Sequence, residues 1–258
     1  MFPVTKLIKI LLTLWTGTNI TLCLFFVIPG IYRYMENMKI LFSESILTAA
    51  PEIKVVMISA DIINHPTSDS LWNEVENTAY TIQSCYQLDQ INKRPAIAAT
   101  RIVYKALGKE PNRYRPSAEA LCRRVINGKG LYRLTSAVDI INIISLVSGY
   151  SIGGFDADKI EGDKLVLGVG QEGERFCAIG RGTLNIQGLP VYRDKTGPIG
   201  TPTSDEVRTS LSESTTKLLM LINIYGEEMT IDQTVAVSRD LLERYASASD
   251  IMVEIICP

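Results

Sequence analysis

Apolar side chains recur at helical spacing in five stretches of the chain. Ala118, Leu121, Cys122 and Val125 lie three or four positions apart, which predicts a short helix. Pro116-Ser117 suits its start, with the serine expected to cap the first turn, and Gly128 and Gly130 suit its end. Val138, Ile141, Ile144, Leu146 and Val147 predict a second helix that stops at Gly149. It is apolar on most of its surface, so it should be buried on most sides. Asp139, Asn142 and Ser145 fall three positions apart on it and share one face. Polar groups on a buried helix need partners, so this face is expected either to cap a neighbouring loop or to look into a pocket. Leu71, Trp72, Val75, Ala79 and Ile82 predict a helix over 69–86, and others are expected over 95–107 and 231–245.

Other stretches read as strands. Ile53–Ile62 is a compact apolar run, expected to be a buried strand. After Asp156 the period changes: Leu165–Leu167, Arg175–Ile179, Leu184–Ile186 and Pro190–Tyr192 are short, apolar and separated by glycine-rich turns. Thr216–Ile224 and Ile251–Ile256 complete the set. Between them Asp194–Leu211 is polar and punctuated by glycine and proline, a long connection of the kind that often carries function. The whole pattern predicts an α+β fold with helices packed on a mostly antiparallel sheet, one domain over 38–258.

Residues 1–34 differ in composition from all that follows. Lys6 and Lys9 precede the uncharged run Ile10–Ile31, long enough to span a bilayer core. It also resembles a signal sequence without a nearby cleavage site. The abrupt change of composition favours a translation start at Met35 or Met38, which makes residues 1–34 a mis-assigned extension and the protein cytoplasmic. The alternative is a membrane anchor through residues 10–31.

Composition adds charge asymmetry. The 258 residues are 46% hydrophobic and 21% charged, with a net charge of −2. Residues 101–133 hold nine basic side chains against Glu110 and Glu119, a local charge of +7. Such a split fits a nucleic-acid-facing surface, and fits equally a solvated helix face with acidic neighbours. Arg113, Arg115, Arg123, Arg124, Lys129 and Arg133 are the candidate RNA contacts. Five scattered cysteines suit buried thiols in a reducing compartment rather than disulfides or a zinc site. A single histidine, His65, excludes a histidine-rich metal site, and no metal or cofactor is expected.

Three pieces in order carry a family resemblance: PSAEALCRRV, then AVDIINIISLVSGYSIGGFDADKIEG, then GPIG followed by SESTTKLLMLI. Residues 111–226 thereby resemble the B3/B4 domain of the phenylalanyl-tRNA synthetase beta chain, and the chain is similar to freestanding bacterial proteins of this domain alone. In the synthetase the domain hydrolyses tyrosine wrongly esterified to the phenylalanine tRNA. The resemblance implies RNA contact, with tRNA or aminoacyl-tRNA as partner, no DNA, and trans-editing by ester hydrolysis in place of a complete synthetase reaction. The family asparagine is kept as Asn142, and the glycines of its Gly-x-x-Gly loop as Gly197 and Gly200. Its threonine falls on Ile141, its histidine on Gly153 and its glutamate on Leu221.

A site follows from both readings. Asn142, Gly153, Gly154, Gly197 and Gly200 are expected to line one pocket, widened where glycines replace larger residues. Thr201, Thr203, Ser204, Asp205 and Arg208 follow directly. Asp205 and Asn142 are the candidate catalytic residues, with Asp205 orienting water or an amine. Arg208 is expected to hold a carboxylate or phosphate in its guanidinium fork, the alternative being a pair with Asp205. An activated ester needs only a placed water and oxyanion donors. The competing function is an amino-acid or small-ligand binding module without chemistry.

Overall fold

The computed structural model describes residues 38–258. The elements are β1 (Lys39–Phe42), α1 (Glu44–Ala49), β2 (Lys54–Asp61), α2 (Asp69–Cys85), α3 (Pro95–Ala106), α4 (Ser117–Ile126) and α5 (Ser136–Ser148). There follow β3 (Ile152–Asp156), β4 (Lys164–Val169), β5 (Cys177–Ala178), β6 (Gly182–Thr183), β7 (Pro190–Arg193), β8 (Pro198–Gly200), β9 (Lys217–Ile224), α6 (Ile231–Ala246) and β10 (Ser249–Ile256). The fold is α+β. One sheet runs β10-β2-β9-β3 and is antiparallel throughout. The other runs β1-β4-β7-β8, antiparallel apart from the parallel β1–β4 pair. Among the described residues no helix is long and apolar enough to cross a membrane. The run 10–31, and every expectation attached to residues 1–34, lies outside them.

Helix α5 is the hub, touching α2, α4, α6 and β3. Its near-continuous apolar surface demands this, because no face could be left to water. Its polar face caps a loop. Asp139 accepts from Thr67 Oγ1 at 2.5 Å and from the Leu134 N–H at 3.0 Å, and Asn64 Oδ1 accepts from Ser136 Oγ and the Ala137 N–H. Burial raises the Asp139 carboxyl above the usual range, against the pull of the Thr67 hydrogen bond.

The far end of α5 closes on Gly149, at φ 75°, a conformation open to glycine. A Cβ there would lie 2.6 Å from Glu228 Oε2 and 3.1 Å from an Arg94 nitrogen, so space as well as φ selects glycine. The fully buried Arg94 donates to the last carbonyls of α5, Leu146 O at 2.8 Å and Val147 O at 3.1 Å. Its Nε pairs with Glu228 at 2.8 Å. A cation thus meets the negative helix end and satisfies carbonyls that have no intrahelical partner.

Three expectations are corrected. Ser117 does not cap α4 with its hydroxyl; Pro116 precedes the helix and the Ser117 N–H donates to Pro202 O at 2.8 Å. Over 175–186 only the short β5–β6 hairpin forms, because Phe176, Leu184 and Ile186 turn into an apolar cluster with Tyr104, Leu189 and Val191. The segment 194–211 is not structureless: Ile199, fully buried, anchors β8, and Val207–Thr209 makes one 3₁₀ turn.

Candidate functional site

Strand β3 is an edge of its sheet. On one side Gly153 and Gly154 pair with Leu221 and Met220 of β9. On the other, Phe155 bridges Ser210, and the Gly154 N–H donates to Asp205 Oδ2 at 3.1 Å. Asp205 reaches that edge because the chain folds back over Thr201–Ser204. Thr201 Oγ1 accepts from the N–H groups of Thr203 and Ser204 at 3.1 and 3.0 Å, a side-chain turn that brings Asp205 opposite Gly200. Thr203 Oγ1 lies 2.9 Å from the hydroxyl of the fully buried Tyr104, pinning the turn to α3.

The space beside this carboxyl is shared with one ring. A Cβ at Gly153 or at Gly200 would come within 2.6 Å of Phe155 Cζ. The same Cβ atoms would lie 3.4 and 2.8 Å from Asp205 Oδ1. Phe155, fully buried, therefore fills the gap that the two glycines leave. Gly154 faces the other way, where a Cβ would run into Ile141. The widened pocket expected at Gly153 and Gly154 is thus corrected: Phe155 and Ile141 take up the room.

Asp205 has no cationic partner among the described residues, and Gly154 supplies the one hydrogen bond its carboxyl receives. Burial pushes it up to about 7, with the Gly154 N–H pulling the other way. Oδ1 is left without a hydrogen-bond partner among the described residues. A half-buried carboxyl that titrates near neutrality can take or give a proton at pH 7.

Not every expected residue joins Asp205. Arg208 pairs neither with Asp205 nor with open space. Its guanidinium grips Asp194 in a two-pronged bond at 2.9 and 2.9 Å. Asp194 also accepts from the N–H groups of Glu161, Thr196 and Gly197. Burial would raise this carboxyl, yet the Arg208 and backbone hydrogen bonds outweigh it and hold it below the usual range. The ligand-holding role expected of Arg208 is therefore corrected, because its fork is occupied, and Gly197 belongs to this second cluster. Asn142 is turned to Asp139, at 3.5 Å, and makes no hydrogen bond to the 200–208 segment. Ile141 and Leu221, at two of the positions where the family carries polar groups, are core residues.

The basic stretch divides as well. Arg101 and Arg123 pair with Glu119 at 2.8 and 2.7 Å, and Arg133 with Asp69 at 2.7 Å. Arg124 stacks over the Tyr132 ring, 4.1 Å from its centroid, and bonds Gly130 O. Lys109 is buried and spent on the carbonyls of Asn185 and Gln187. Arg113, Arg115 and Lys129 stay exposed. Sequence reasoning missed Phe155 as the filler, Asp194 as the partner of Arg208, and Glu119 as an organiser. For the last a signal existed: it is one of two acids in a run of nine bases.

The chain thus joins two mainly antiparallel sheets to a buried hub helix, with the Asp205 carboxyl against the edge of β3. The B3/4 domain family matches residues 99–247, more than half of the chain, and the chain belongs to that family. No curated protein matches it. Among solved structures it is similar to an N-terminal fragment of the phenylalanyl-tRNA synthetase beta subunit from Pyrococcus horikoshii. The identity is 12% and the TM-score 0.45, over 89% of this chain and 57% of that one. The chain thus spans little more than half the length of that fragment.

Proposed function

We propose that this B3/4 domain protein binds tRNA and hydrolyses the ester of a wrongly attached amino acid, with Asp205 as the group that activates water. The observation that carries the reading is the Asp205 carboxyl, titrating at about 7 beside backbone of Gly153, Gly154 and Gly200. A base is most effective when its pKa lies near the working pH. Thr201, Thr203 and Ser204 hold the turn that positions it. No covalent nucleophile is required, since the ester is already activated and a placed water can attack it. The test is release of the amino acid from a panel of mischarged tRNAs, beginning with tyrosine on the phenylalanine tRNA. Hydrolysis should rise with pH through about 7, and Asp205→Asn should lower the rate at least about a hundredfold. Equal rates for the two proteins would remove Asp205 from the chemistry.

A second reading has its own observation. Phe155 occupies the space beside Asp205, and the carboxyl already serves the Gly154 N–H as a cap on the β3 edge. Both count against chemistry at Asp205, and the alternative is then a module that binds an amino acid without hydrolysing anything. Thermal-shift screening of amino acids separates the two, because a ligand of the folded state raises its melting temperature in the absence of tRNA.

A further inference from the structure

Glu119 lies on α4 with no accessible surface, and three guanidinium groups converge on it. Arg123 Nε is 2.7 Å away, Arg101 Nη1 2.8 Å and Arg115 Nε 4.0 Å. One carboxylate against three cations leaves a surplus of two positive charges at one place. The three arginines are not equally spent. Arg101 is consumed, since it also donates to Pro111 O and to Asn112 Oδ1. Arg123 gives one further bond, to Leu88 O at 3.3 Å. The Arg115 side chain is half exposed and makes only the long contact with Glu119. Arg113, exposed, stands two residues before it with no ion pair among the described residues.

We propose that Arg113, Arg115 and Arg123, held in place by Glu119, form a seat for the phosphodiester backbone of an RNA, set against the turn that carries Asp205. The seat rests on the RNA reading above and says where on the surface the RNA lies. Its position is fixed by bonding: the Ser117 N–H at the start of α4 donates to Pro202 O at 2.8 Å, inside the turn that delivers Asp205. A backbone held at Arg113 and Arg115 therefore lies beside the carboxyl site. RNA fits better than an acidic protein because aromatic faces are interleaved with the cations. Tyr114 lies beside the exposed Arg113, whose guanidinium is 5.6 Å from its ring centroid. Tyr132, 66% exposed, carries Arg124 beyond the other end of α4. Phosphates call for guanidinium forks and bases call for ring faces, whereas an acidic peptide uses only the charges. Glu119 is a positioning residue: it does not meet the RNA, but it fixes where the forks point.

The test is fluorescence anisotropy with a labelled tRNA between 50 and 200 mM salt. Each phosphate contact contributes about 0.7–0.9 to the slope of log affinity against log salt. Arg113→Ala/Arg115→Ala should weaken binding at least about tenfold at the low-salt end and make the slope shallower by about 1.5, while the control Lys164→Ala, an exposed lysine of β4 outside the seat, changes neither. Glu119→Gln supplies the readout that charge alone cannot. Removing a negative charge should strengthen RNA binding if Glu119 were only a neighbour; loss of the organised forks should weaken it. Where Glu119→Gln does not fold, the exposed Arg113/Arg115 pair carries the test. If tRNA binds and the double variant keeps the wild-type slope, the seat is elsewhere and the proposed function stands. If poly-glutamate competes as well as tRNA at equal charge, the surface reads charge only and the proposal is overturned. If the wild type binds no tRNA, the seat and the function fall together.

Discussion

At Asp205 a single carboxyl does two jobs that pull its pKa in opposite directions. Burial raises it from 3.8 to about 7, and the hydrogen bond from Gly154 resists. The sign for stability follows directly. Between pH 4 and 7 the folded protein keeps a proton that the unfolded chain has lost, so stability falls as pH rises through that window and the penalty is complete above it. Asp205→Asn has no such proton. Its melting temperature relative to wild type should therefore climb between pH 5 and pH 8, read by thermal denaturation at a series of pH values. A difference that stays flat would mean that the carboxyl is well solvated. The acid itself was legible in the sequence, because it follows a Gly-x-x-Gly loop and sits in a polar run. Its neighbours were not. Phe155 fills the space of two glycines that stand 47 positions apart in the chain, Gly153 and Gly200, and nothing local reveals that they face each other. Arg208 had two candidate acids within reach in sequence. Asp194 takes it because three backbone N–H groups already fix that carboxylate as an ion.

Among the elements α5 depends most on others. Its own pattern announced a buried helix ending at Gly149, and both were found, since a helix apolar on most sides cannot be left to water. What ends it was hidden: Arg94 comes from the turn before α3, and Glu228 from the loop before α6. With the Arg94 fork divided between Glu228, Leu146 O and Val147 O, Arg94→Met strands a buried carboxylate and two carbonyls. It should cost about 3–5 kcal/mol in urea denaturation. Arg94→Met/Glu228→Met should recover part of this, because both charges are then gone, and Arg94→Lys should not, lacking the fork. A loss below about 1 kcal/mol for the single change would show that packing alone holds the helix end. The short strands were the elements least legible in the sequence. Leu184 and Ile186 looked like strand residues because a strand and a core-inserted loop present the same apolar spacing over so few positions.

On the scale of the whole molecule, the two sheets are joined by buried contacts, and the candidate site lies on one of the joints. Phe155, in the sheet of β3, packs against Gly200 in the sheet of β8. Asp205, which bridges Gly200, holds the free edge of β3. At a second joint the Tyr192 hydroxyl of β7 donates to Asn223 Oδ1 of β9 at 2.7 Å, with both residues buried. Neither sheet can lose its partner without exposing these groups unpaired, which couples their unfolding. A chain beginning at Met38 is therefore predicted to fold and to melt in one transition. Trp72 on α2 is its single tryptophan and reports on the helical layer, while far-ultraviolet circular dichroism reports on sheets and helices together. The two urea curves should coincide. Phe155→Ala, which empties the space between Gly153 and Gly200, should shift both to lower urea by the same amount, at a cost of about 3–5 kcal/mol. Curves that separate, or a Phe155→Ala change felt by one probe alone, would divide 38–258 into two folding units and place the Asp205 site at a boundary between them.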